Sequence, residues 1–200
     1  MAKKKQKKKR IKVSDKGFNF EREMSKKLSL WWTNGDRDDV IWRTSQSGGR
    51  ATTRLKKGLT TKYQYGDLTF TDPIAQPLFD MFLIECKRGY SNDVDVLDCI
   101  DVPDNRETKP EIYEWWDKAQ KEKEVGGRHE VLIILKRNRR LKVVFIRHGF
   151  LSILESYCGS CIGTKIIQVG QDIDILRLDN FLRLLTPETI GTILSDIREI

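Results

Sequence analysis

The segment Leu83-Ile84-Glu85-Cys86-Lys87 ends an apolar run on an acid and a base separated by one residue. In an extended strand side chains alternate, so Glu85 and Lys87 share a face about 6 to 7 Å apart while Ile84 and Cys86 face the other way. Upstream, Gly66-Asp67 lies at the start of another run rich in aromatic and aliphatic residues. The two runs, 65–71 and 79–87, are separated by Asp72-Pro73 and Gln76-Pro77, a pattern that predicts neighbouring antiparallel strands. Such pairing would bring Asp67 within reach of Glu85. Two adjacent carboxylates repel unless a cation lies between them, and Lys87 balances only part of that charge. Hard oxygen ligands suit Mg²⁺, with Mn²⁺ able to replace it. A partly hydrated ion held there would bind a phosphate oxygen, acidify a water and stabilise the charge of an in-line attack. The chemistry expected is phosphodiester hydrolysis.

A plainer reading makes Glu85 and Lys87 a salt bridge on a solvated sheet, which is common and contributes little. Leu83 and Ile84 run straight into the pair and Gly89 follows, so the charges end a buried strand instead. Asp67 could be a turn residue after glycine, but the strand-like Leu68-Thr69-Phe70 follows it at once.

The elements that must position these side chains are legible in outline. Phe18, Phe20, Met24, Leu28 and Trp31 recur at helical spacing, which predicts a helix over 18–32. Residues 40–43 are a short strand, followed by the loop Thr44-Ser-Gln-Ser-Gly-Gly-Arg50 and a basic stretch to Tyr63. Residues 93–106 are polar with a proline, hence a loop. A helix follows over 110–124, stopped by Gly126-Gly127. The apolar runs 130–136 and 141–147 flank the basic turn Arg137-Asn-Arg-Arg140 and predict a buried strand pair. The remainder offers a helix over 149–156, a strand over 164–169 and a closing helix over 187–199. One of each tryptophan pair, Trp31-Trp32 and Trp115-Trp116, is expected in the core rather than stacking on bases.

The 200 residues fit one domain, and an apolar fraction of 38% is enough for a core. Lys and Arg number 37 against 29 Asp and Glu, and the net charge of +8 favours a polyanionic partner. No apolar run reaches transmembrane length and the N-terminus has no signal-peptide core, so a cytoplasmic protein without a membrane partner is expected. In that reducing setting Cys86, Cys99, Cys158 and Cys161 are expected to be free thiols. Cys158-Gly-Ser-Cys161 has the spacing of half a zinc site, but no second pair completes it, and His129 and His148 have no neighbouring ligand set. Residues 1–15 carry a run of like charge with little to bury and are expected to form a disordered basic arm.

Gly66-Asp67 followed by Glu85-Cys86-Lys87 resembles the signature of the PD-(D/E)XK superfamily of restriction-endonuclease-like nucleases, with glycine where proline usually precedes the aspartate. The resemblance implies an α/β fold with a central mixed sheet flanked by helices in αβββαβ order, over residues 16–147, and leaves 148–200 as an α/β extension packed on that core. Lys16-Gly17, Glu21-Arg22, Arg43 and Ser45 or Ser47 ahead of the acidic strands are further similar to archaeal and phage Holliday junction resolvases. Carried over residue by residue, Asp67, Glu85 and the Cys86 carbonyl would ligate the metal. Glu21 would reach it through water or help hold a second ion, and Lys87 would orient the attacking water. Arg43, Ser45, Ser47 and Arg50 would contact phosphates, and Gln120 resembles the glutamine on the helix of the exonuclease-like branch. The implied activity is a DNA endonuclease leaving a 5′-phosphate, and the symmetry of branched DNA makes a homodimer an expectation of the same resemblance. Two other readings stay open on the sequence: a non-catalytic DNA-binding or junction-organising protein, and an RNA-processing nuclease.

Overall fold

The fold is described from a computed structural model, over residues 13–44, 63–89, 110–159, 166–169 and 173–198. Helix α1 (Val13–Trp32) leads into strands β1 (Ile41–Arg43) and β2 (Leu68–Phe70). A 3-10 turn (Pro73–Ala75) and the short helix α2 (Gln76–Met81) precede β3 (Phe82–Arg88). Then come α3 (Glu111–Gly126), β4 (Glu130–Lys136), β5 (Lys142–Arg147), α4 (Phe150–Cys158), β6 (Ile166–Val169), β7 (Ile173–Arg177), α5 (Leu178–Leu184) and α6 (Pro187–Arg198).

Five strands form one mixed sheet in the order β3-β4-β5-β7-β6, and β1 and β2 pair separately. β3 and β4 are parallel, with α3 in the connection between them, while β4-β5, β5-β7 and β7-β6 are antiparallel. Both sheet faces are covered, which explains the unbroken apolar runs of β3 and β4. Phe82, Ile84 and Cys86 of β3, with Leu132, Ile134, Val144 and Leu176, meet α1 through Phe20, Met24 and Leu28. Leu83, Val131, Ile133, Leu135 and Phe145 meet α3 through Ile112, Trp116 and Ala119 on the opposite face. The order helix, three strands, helix, strand is the predicted one.

Several boundaries differ from expectation for identifiable reasons. Residues 79–81, expected in a strand, close helix α2. Asp72 caps the preceding turn by accepting the Ile74 N–H at 3.1 Å, and Pro73 and Pro77 sit at helix starts, where their fixed φ is favourable. The expected antiparallel pairing of the Asp67 strand with the Glu85 strand is absent: β2 pairs with β1, and β3 pairs with β4. Strand β7 and helix α5 went unread in the sequence. β7 carries the buried Asp174, 5% exposed and 3.1 Å from His148 Nδ1, which breaks the apolar run. Helix α5 has no side-chain cap to announce it. Trp32 and Trp116 are the buried members of their pairs.

The C-terminal elements share the core with the N-terminal ones. Phe82 packs edge-on against Phe150 of α4 and Phe181 of α5, with ring centroids 5.7 and 6.3 Å apart. Phe181 is 0% exposed. Phe181→Ala is therefore expected to lower stability by about 3 to 5 kcal/mol, seen as an earlier denaturant midpoint at an unchanged slope. A loss below about 1 kcal/mol would mean that α5 is not part of the cooperative core.

Candidate active site

Among the described residues β3 is an edge strand of the five-stranded sheet, so the N–H and C=O groups on its outer side lack a ladder partner there. The segment at Gly66-Asp67 supplies one. Asp67 N–H donates to the Ile84 carbonyl at 2.9 Å, and Asp67 Oδ2 accepts the Cys86 N–H at 2.8 Å. From the other side, Thr44 N–H donates to the Asp67 carbonyl at 2.9 Å and Thr44 Oγ1 donates to the Gly66 carbonyl at 2.8 Å. Asp67 thus reaches β3 through a side-chain-to-backbone stitch and one main-chain bond, in place of the antiparallel ladder expected. Gly66 makes the approach possible: its φ is +79°, and a Cβ there would lie 2.8 Å from the Ile84 carbonyl oxygen.

Glu85 and Lys87 lie on the α3 face of β3, as strand alternation requires. Glu85 is only 5% exposed, and Lys87 Nζ donates to its Oε2 at 2.5 Å. Burial at that depth demands a charged partner, and Lys87 is one. The charge of Lys87 does not extend to satisfying Asp67 as well. Burial and the charge of Glu85 push the Asp67 carboxyl up to about 7, against the Cys86 N–H and Lys87, and Glu21 pushes the same way. The Cys86 thiol, buried beside these acids, is raised well above its ordinary range and stays neutral.

Glu21, on α1, accepts from Arg43 Nε of β1 at 2.9 Å, and the Arg43 guanidinium lies 4.3 Å from the centre of the Phe18 ring. Glu21 is therefore at the rim of the acid cluster with a cation of its own. Ser45, Ser47 and Arg50 lie outside the described residues, as do residues 1–12 of the basic arm.

Helix α3 contributes an acid that sequence reasoning missed. Glu122 is raised by burial and then by the charge of Glu85, while Lys118, Lys87 and the Gly66 N–H favour its ionised form. It thus lies close enough to Glu85 and to the Gly66 N–H to feel both. Gln120 is two residues away, about 200° around the helix axis, and is half-buried on a different flank. In sequence, Lys118 and Glu122 read as an ordinary i,i+4 surface pair, and they do lie 3.7 Å apart. Only the packing of α3 on the sheet reveals the other side of Glu122.

The arrangement suits a hydrated divalent cation. Asp67 and Glu85 bring two negative charges together against the single positive charge of Lys87, and burial first, then the charge of Glu85, raise the Asp67 carboxyl. Among the described residues no group of three or more His, Cys, Asp or Glu is placed to hold a metal ion by itself. An ion bound by one or two carboxylates and completed by water needs none. The Cys86 carbonyl lies on the same outer edge of β3 as its N–H, by the geometry of a strand.

An aspartate stitched to an edge strand beside an acid and a lysine two residues apart, on a mixed sheet in this order, places the molecule among PD-(D/E)XK nucleases of restriction-endonuclease-like fold. The chain belongs to the family described as "Phage putative PDDEXK endonuclease", which matches residues 12–192. No curated protein and no solved structure matches it. Nucleases of this superfamily generally use divalent metal ions. No helix of the described residues is long and apolar enough to cross a membrane.

Two outcomes follow from the geometry. Gly66→Ala should destabilise by roughly 2 kcal/mol, from a left-handed backbone and the clash with Ile84, and should displace Asp67; an unchanged melting temperature would refute the close approach. The second concerns pH. Asp67 titrates near 7 in the folded chain against 3.8 for its ordinary value, so the folded state holds the proton more tightly. Its contribution is full below about pH 4 and is lost as pH rises through about 7. Asp67→Asn in EDTA should therefore melt above the parent by a margin that widens between about pH 5 and pH 7 and levels off beyond about pH 8. A pH-independent margin would contradict the assignment.

Proposed function

We propose that the protein is a Mg²⁺-dependent endonuclease that hydrolyses DNA phosphodiester bonds, with branched DNA as a substrate class suggested by its likeness to junction resolvases. The observation that carries this reading is the convergence of Asp67 and Glu85 beside Lys87 at a sheet edge, where burial and the charge of Glu85 raise the Asp67 carboxyl.

Asp67, Glu85 and the Cys86 carbonyl would hold the ion, with Glu21 reaching it through water. Bound there, Mg²⁺ supplies Lewis-acid stabilisation of the phosphoryl oxygens and acidifies a coordinated water. The chain's own residues do the rest. Lys87 Nζ, a hydrogen bond from Glu85, orients the attacking water and stabilises charge growing on the phosphorus-bound oxygens. The burial of Glu85 keeps bulk solvent from screening these charges. Arg43, fixed by Glu21 and lying over Phe18, presents its guanidinium to the phosphate next to the cut. Ser45, Ser47 and Arg50 would extend that grip, and Gln120 on α3 would be the further site residue that the resemblance to the exonuclease-like branch implies. The water oxygen forms a bond to phosphorus, the bond from phosphorus to the 3′ oxygen breaks, and the departing oxygen takes up a proton, leaving a 5′-phosphate and a 3′-hydroxyl.

Supercoiled plasmid incubated with Mg²⁺ or Mn²⁺ should be nicked and linearised by the parent and not in EDTA. Asp67→Ala, Glu85→Ala and Lys87→Ala should each slow cutting by about 10² to 10⁴. Cleavage at the parental rate by these variants would remove the site from the chemistry. Salt-sensitive binding without cutting under any divalent ion would instead favour a DNA-organising role.

A further inference from the structure

The opposite face of the same strand end carries a feature the catalytic reading does not use. Arg88 of β3 is the register partner of Lys136 on β4, and Lys136 is the register partner of Lys142 on β5. Three cations thus stand in one row across three adjacent strands, spanning about 10 Å. Like charges placed directly opposite each other destabilise a sheet. The row is relieved by one carboxylate from α1: Glu23 lies 2.8 Å from Lys142, 3.5 Å from Lys136 and 3.4 Å from Arg88. Glu23 alone pairs with all three cations; Asp179, which also feels the charge of Lys142, is itself paired with Lys27 at 2.7 Å, so the row keeps an excess of positive charge. The excess is enlarged by the β4-β5 turn, where Arg137, Arg139 and Arg140 have no ion pair among the described residues.

We propose that this row is a second phosphate-binding site, for the backbone of duplex DNA flanking the cut, and that Glu23 occupies it in the free protein as a stand-in for phosphate. The proposal rests on the reading of the protein as a DNA nuclease. Arg88 follows Lys87 directly in β3, so the row starts one residue from the catalytic lysine, on the other face. A duplex gripped here would be held beside the site without entering it. The three basic side chains are 24% to 28% exposed and Glu23 is 36% exposed, so water reaches every pair. Pairs of that kind are worth at most about 1 kcal/mol each, which makes exchange of Glu23 for a phosphate inexpensive. A carboxylate already in place keeps the cations pointed inward and lessens their mutual repulsion until the nucleic acid arrives.

The idea makes an unusual demand: removing an acid should tighten binding by removing a competitor. A fluorescein-labelled DNA duplex is titrated by anisotropy in EDTA across a range of salt. Glu23→Gln should bind roughly twofold to fivefold more tightly than the parent at fixed salt. Lys136→Gln with Lys142→Gln should bind more weakly, with the slope of log affinity against log salt shallower by about 1 to 2. Lys26→Gln with Arg183→Gln, which removes equal charge elsewhere, should leave that slope closer to the parent's. The inference is overturned if Glu23→Gln binds no more tightly, or if the two double variants are indistinguishable. Cleavage of saturating plasmid in Mg²⁺ is scored separately. There the Lys26/Arg183 double variant should cut at the parental rate; a parent that binds the duplex but cuts nothing would sink the nuclease reading while leaving the binding comparison intact, so the two failures give different results.

Discussion

The amide of Cys86 is the constraint on which the site depends. Its N–H faces outward from what is, among the described residues, an edge strand, and it is satisfied by the carboxylate of Asp67. An unsatisfied amide in that position would be costly, so the bond holds Asp67 beside Glu85 although the two acids repel. The result is a carboxyl pair whose repulsion Lys87 offsets in part, with the Asp67 carboxyl raised first by burial and then by the charge of Glu85. A dication between two such carboxylates would relieve their repulsion, which is why the pair supports the proposed metal site.

Around that stitch the sheet separates two chemistries by strand alternation alone. On β3, Glu85 and Lys87 turn toward α3, where Glu122 joins them, while Arg88 turns toward α1. Helix α1 serves both regions with residues two apart: Glu21 pairs with Arg43 near Asp67, and Glu23 meets the basic row. Two helical positions are about 200° apart, so one helix can address both at once. A cluster rich in acid and a row rich in base thereby sit at the same strand ends without neutralising each other.

Rigidity comes from farther along the chain. The strand that carries Glu85 and Lys87 begins at Phe82, whose ring is held by Phe150 and Phe181. Elements after residue 147 also provide β7 and β6, which complete the sheet beyond β5. The family match extends to residue 192, across these elements.

What could be read from the chain alone was whatever depends on local period and local chemistry. Alternation put Glu85 and Lys87 on one face, the helical spacing of Phe20, Met24 and Leu28 located α1, and the two apolar runs around Arg137 to Arg140 located β4 and β5. The acid-lysine motif followed from that alternation, and the αβββαβ order was implied by the resemblance the motif carries. What required the folded chain was every relation between segments distant in sequence. Helix α2 replaced the start of an expected strand, because prolines and an Asp72 cap outweighed strand-like composition. Asp67 met Glu85 through a side-chain bond that no pairing rule anticipates. Glu122 near Gly66, and Glu23 over a row of three cations, came together only because helices pack on strands that the sequence leaves tens of residues apart. Local periodicity decides which way a side chain points along its own element; only packing decides what it meets there.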